Sequence, residues 1–131
     1  MAVIKCFEDI EVWKFARELA IDIYKIINND FFSKDYRFCS QIRSSAGSIM
    51  DNIAEGFERN GQKEFIQFLF VAKGSCGECR SQLYRALDVN YIDKETFECN
   101  YDNLITISKS LSKFIKYLKE SDLKGIKYKQ S

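Results

Sequence analysis

The chain carries 131 residues, enough for one domain with a real core and too few for two. It is 46% hydrophobic and 30% charged, as an ordinary globular protein is, and its formal net charge of +1 excludes any global pull towards nucleic acid or membrane. Histidine is absent, which removes histidine acid–base catalysis, serine–histidine triads and histidine metal ligation together.

Proline is absent too, which favours long uninterrupted helices over a turn-rich β architecture. The spacing predicts four helices. The first covers about residues 10–29, with Val12, Trp13, Ala16, Leu19, Ala20, Ile23 and Ile27 on one face. Asp9 is its expected cap, and Asn28-Asn29-Asp30 marks its end. The second covers about 35–58 and carries Phe38, Ile42, Ala46, Ile49, Ile53 and Phe57. Asn60-Gly61 is a turn signal, with Glu64 placed to close a weak capping box.

The third helix covers about 62–87, with Phe65, Phe68, Leu69, Ala72, Cys76, Cys79, Leu83 and Ala86 as its stripe. The fourth covers about 94–119, with Phe97, Tyr101, Leu104, Ile107 or Ser108, Leu111, Phe114, Ile115 and Leu118. Residues 120–131 form a basic tail. Short connections make sequential helices antiparallel neighbours, so the expected fold is all-α, a single up-down-up-down four-helix bundle.

Five cysteines, an odd number, follow an N-terminus too poor in apolar residues to be a signal, and no segment is long enough to span a membrane. A cytoplasmic protein with reduced thiols is expected. Cys76-Gly77-Glu78-Cys79 lies inside an amphipathic helix with no second pair, so both thiols read as small buried hydrophobes. No metal or other cofactor is implied, and no catalytic constellation emerges.

Residues 41–56 are the most informative segment. Ile42, Ile49 and Ile53 keep helical spacing, but the residues between them are mostly small or polar. A fold-back at Asn60-Gly61 sets residues 44–48 level with Gly74-Ser75-Cys76-Gly77, two small patches suited to a close helix crossing or to admitting a partner. Ser45, Ser48, Asn52, Glu55 and Arg59 share one face. That polar stripe is either solvated, an interface with another subunit, or a buried network with Glu78 and Gln82.

Gln41-Ile42-Arg43, Ser48-Ile49, Asn52-Ile53-Ala54-Glu55-Gly56 and Arg59, followed by Glu64-Phe65, Phe68-Leu69, Ala72, Gly74-Ser75 and Glu78, resemble the four helix bundle family of 23S rRNA-intervening-sequence proteins. Asp9-Ile10-Glu11-Val12-Trp13 and the loop at 31–37 add to the resemblance, which covers about residues 9–118. It implies an antiparallel left-handed bundle that assembles into a homo-oligomeric ring, a pentamer. Arg43, Ser48, Asn52, Glu55, Gly56, Arg59 and Glu78 are the matching motif residues and the candidate interface. Related accessory proteins of diversity-generating retroelements share the ring and bind nucleic acid and a reverse transcriptase, so RNA or DNA association follows by analogy of fold.

The sequence departs from the family pattern in three places. Arg43 is followed by Ser44 where a second basic residue is usual, and Phe32 and Met50 or Asp51 stand where prolines are usual. Lys109, Lys113 and Lys116 share one face of the fourth helix, with Lys119, Lys124, Lys127 and Lys129 beyond them and Tyr117 and Tyr128 interleaved. With Arg43, the first three are the candidate nucleic-acid contacts; in a ring such stripes would multiply into avidity. The alternative is a protein-interaction scaffold, its partner seated on Asn52, Glu55 and Arg59, with no nucleic-acid binding.

Overall fold

A computed structural model of the protein describes residues 3–123. The described residues contain no β-strand and form four helices: α1 (Glu11–Ile26), α2 (Tyr36–Glu58), α3 (Gln62–Asp88) and α4 (Lys94–Leu123). α2 packs on α3, α3 on α4, and α1 closes against both α2 and α4. The enclosed core is one cluster, with Leu19, Ile23, Ile42, Ile49, Ile53, Phe65, Leu69, Leu83, Leu104 and Leu111 fully buried. Burying each such side chain contributes roughly 1.5–3 kcal/mol, the main offset to the entropy of ordering the chain.

The expected stripes are the buried ones, with Phe68, Tyr101 and Phe114 only half-buried at the rim. Ile107, not Ser108, fills the ambiguous position on α4. The helix ends differ in places. Asp9 does not cap α1: it closes a 3-10 turn (Phe7–Asp9), and its carboxylate accepts the Lys5 N–H at 3.1 Å. Ile10, extended and buried, precedes α1 without any side-chain cap.

α1 also stops at Ile26, short of Asn29, because Asn29 folds the next turn around its own side chain. Its Oδ1 accepts the N–H groups of Phe31 and Phe32 at 3.0 and 2.7 Å. Asp35 caps α2 by accepting the Phe38 N–H at 3.2 Å. At the α2–α3 turn the left-handed residue is Asn60, at φ 63°, with Gly61 extended. Glu64 completes no capping box there.

α3 ends on Asn90 at φ 62°, with the Tyr91 N–H reaching the Ala86 carbonyl at 2.8 Å and the Asn90 N–H reaching Leu87 at 3.0 Å, a Schellman closure. Tyr91 then clasps the α1–α2 loop. Its hydroxyl donates to Asp35 Oδ2 at 2.9 Å, its carbonyl accepts Asn29 Nδ2 at 2.9 Å, and its ring stacks on buried Phe32 at 5.0 Å. Asp93 starts α4 by accepting the Thr96 N–H at 2.8 Å, and the Thr96 hydroxyl together with that N–H holds its carboxyl below the usual range. α4 continues past the expected end at 119, through the start of the supposed tail, to Leu123. Lys124, Lys127, Tyr128 and Lys129 lie outside the described residues.

Candidate functional site

The polar stripe of α2 divides into a buried part and an exposed part. Ser45 is buried, its hydroxyl set between the Ile42 carbonyl at 3.1 Å and Gln82 Oε1 on α3. One turn on, Ser48 Oγ accepts from Ser75 Oγ at 2.9 Å and from Asn52 Nδ2 at 2.8 Å; Asn52 also donates to the Ser48 carbonyl at 2.7 Å. Ser45 and Ser48 with Ser75 and Gln82 thus form a satisfied polar seam between α2 and α3. Of the two α3 residues expected in a buried network, Gln82 joins it. Glu78, one turn before Gln82, stays exposed.

The stripe surfaces at Glu55 and Arg59. Arg59 Nη2 lies 3.0 Å from Glu55 Oε2 with both side chains about half exposed, at 51% and 53%, and Nη1 lies 3.8 Å from Glu64. A solvent-screened pair of this kind contributes roughly 0–1 kcal/mol. The Arg59 guanidinium also sits 5.3 Å over the Phe68 ring.

Beneath it α2 and α3 approach closely at Gly56. A Cβ on Gly56 would stand 2.6 Å from Phe68 Cβ and 3.0 Å from Phe65 Cδ1. Gly47 and Gly74 are different: a Cβ on either meets nothing within 4 Å, and one on Gly77 meets only the Arg80 side chain at 3.9 Å. The expectation that Gly47, Gly74 and Gly77 permit the helix crossing is therefore corrected. Residues 44–48 and 74–77 do lie level, joined through Ser48 and Ser75, but the glycine whose smallness the helix contact requires is Gly56.

The two thiols of Cys76-Gly77-Glu78-Cys79 are buried, which pushes them up to about 12 and about 11. Both stay protonated and unreactive at neutral pH. Among the described residues no group of three or more cysteine, aspartate or glutamate side chains could hold a metal ion. Among the described residues no helix is long and apolar enough to cross a membrane.

The candidate cations fall in two places. Lys109, Lys113 and Lys116 are exposed along α4, without an ion pair among the described residues. Lys113 borders a groove of about 620 Å³ against the start of α1, whose charged lining is mixed: Asp9, Glu11, Lys14 and Lys113. Arg43 lies elsewhere, half-buried between α1 and α2 with its guanidinium 5.9 Å from the Tyr24 ring. Tyr24 is about nine residues along α1 from the Phe15 end of that groove, roughly 14 Å at about 1.5 Å per residue. The structure does not bring Arg43 and the three lysines together.

Around Arg43 is a surface that reading the sequence missed. Two hollows of about 380 and 370 Å³ flank Tyr24. Arg17, Ile21, Lys25 and Met50 border one, Tyr36, Cys39 and Arg43 the other, and Tyr24 and Asn28 border both. Tyr24 is 59% exposed and Tyr36 81%. The signal was present: two tyrosines off the apolar stripe, each with a basic neighbour, at Lys25 and Arg37.

Fold and seam together define an all-α helical protein in which the motif residues Ser48, Gly56 and Arg59 join α2 to α3. Residues 8–113 match the 23S rRNA-intervening sequence protein family, and the chain belongs to it. A crystal structure of a protein of unknown function from the S23 ribosomal protein family of Bacteroides thetaiotaomicron is similar at 27% identity and a TM-score of 0.73, over 80% of this chain and 95% of that one. No curated protein matches the sequence.

Proposed function

We propose that this protein is a non-enzymatic, up-down-up-down left-handed bundle that assembles into a homo-oligomeric ring, a pentamer, and associates with nucleic acid, RNA foremost, in the cytoplasm. Contacts between neighbouring helices support the alternating topology. Ser45 meets Gln82, Ser48 meets Ser75 and Arg59 meets Glu64, so partners run in opposite order along α2 and α3. Phe65 against Phe114 and Tyr84 against Phe97 do the same for α3 and α4.

The observation that carries the nucleic-acid reading is the row of exposed lysines on α4, Lys109, Lys113 and Lys116, with no carboxylate partner among the described residues. Free cations at helical spacing suit a phosphate backbone, and a ring repeats the row around its axis. Native mass spectrometry and binding to RNA and DNA at low salt test it. A ring that binds supports the reading; a protein that binds neither polymer at low salt contradicts it.

One observation favours the scaffold reading instead. Gly47 and Gly74 cost helix propensity, yet no contact among the described residues needs their smallness. A protein partner lying across them, beside Asn52 and Glu55, would use that space. Such binding would resist salt and fail on substitution of Asn52, Glu55 or Arg59.

A further inference from the structure

We propose that the α1–α2 groove binds single-stranded nucleic acid, its bases stacked on Tyr24 and Tyr36 and its phosphates held by Arg17, Lys25 and Arg43. Every charged side chain bordering the two hollows is cationic. The nearby carboxylates of Glu18, Asp22, Asp30 and Asp51 border neither hollow, and Asp35 is occupied by the Tyr91 hydroxyl and the Phe38 N–H. The larger groove beside Lys113 lacks this bias, since Asp9 and Glu11 share it.

Exposed aromatic rings next to unpaired cations are what single strands require. Every base has a π-face, so stacking tolerates sequence, while a cationic track follows the backbone. A duplex hides those faces, so single strands are preferred. Tyr24 and Tyr36 border the same 370 Å³ hollow, and each hollow falls in the ~300–1,000 Å³ range of small-ligand clefts. Arg43 against the Tyr24 ring places a guanidinium where it can reach a phosphate beside a stacked base. The proposal presupposes the nucleic-acid association above and adds base contacts on α1 and α2.

The test is fluorescence anisotropy of the full chain with labelled oligouridine, oligothymidine and a duplex of equal length. Tyr24→Ala, Tyr36→Ala, Tyr24→Phe and Tyr36→Phe are compared with a Lys109→Ala/Lys113→Ala/Lys116→Ala variant, with native mass recorded for each. Each alanine variant is expected to weaken single-strand binding by about 5- to 100-fold, while phenylalanine retains it and native mass is unchanged. Single-strand binding that survives both tyrosine deletions but fails in the lysine variant overturns the groove and leaves nucleic-acid association standing. No binding by the unaltered protein at low salt ends both. A tyrosine variant that loses its oligomeric mass shows that a second copy covers this face, and the proposal falls.

Discussion

Gly56 and Phe68 set the distance between α2 and α3: the glycine Cα lies so near the Phe68 side chain that an added Cβ would stand 2.6 Å from its Cβ. The atom met is the root of a side chain, so the collision can be relieved only by moving a helix. The Phe68 ring then supports Arg59, which reaches Glu55 on its own helix and Glu64 across the turn. Three residues of the family motif thereby fasten one helical hairpin.

Gly56→Ala is therefore expected to destabilise the fold by about 1–3 kcal/mol, as overpacking does. Gly47→Ala and Gly74→Ala should instead stabilise the isolated chain by about 0.5–1 kcal/mol through helix propensity. Urea unfolding measures all three. If the latter two weaken assembly while stabilising the subunit, a neighbouring molecule uses the open space.

Ser45→Ala leaves Gln82 Oε1 buried without its donor, at a cost of about 1–3 kcal/mol. Adding Gln82→Leu should recover much of it, because an apolar pair needs no partner. A double-mutant cycle reads this directly, and additive losses would show that the seam is not coupled.

The buried thiols make stability fall in alkali. Cys76 and Cys79 are raised from 9.0 to about 12 and about 11, so they stay protonated in the fold when the unfolded chain has begun to ionise. Their contribution is complete below about pH 9 and is lost as pH rises through the folded values. Tyr91, raised by donating to Asp35, acts in the same direction. Urea midpoints between pH 7 and 11 should therefore decline above pH 9. At neutral pH, exposed Cys99 should alkylate in the native protein, and Cys76 and Cys79 only after unfolding.

Acid works through two carboxylates that accept backbone N–H groups, Asp93 and Asp9. Asp93 is held low by the Thr96 hydrogen bonds and Asp9 by the Lys5 N–H, so each contributes above its unfolded value and loses that contribution as pH falls through the folded one. Asp93→Ala should flatten the acid limb and fray the start of α4, which hydrogen exchange at Thr96 would report.

The core was legible in the sequence because burial follows the helical period, and Val12, Ile49, Leu69 and Leu111 each sit where that period puts them. The second helix was expected to begin at Asp35, which in fact caps it from one residue outside. The role of Asp9 was not legible, since a tight turn ahead of the helix draws its carboxylate back to Lys5. Nor could the sequence tell Gly56 from Gly47, because two glycines on one helix differ only in what the next helix brings to them. The Tyr24–Arg43 contact depends likewise on how α1 lies against α2. Arg43 and Lys113 both looked like nucleic-acid contacts, and only their placement on separate faces divides them.

The most direct test of nucleic-acid association is the slope of binding against salt. The logarithm of the RNA association constant should fall linearly with the logarithm of salt concentration. Replacing Lys109, Lys113 and Lys116 by alanine should reduce that slope by about 2, near 0.7 for each phosphate no longer neutralised. Binding that ignores salt, or no binding at about 20–50 mM salt, would contradict the account and favour a protein partner on α2.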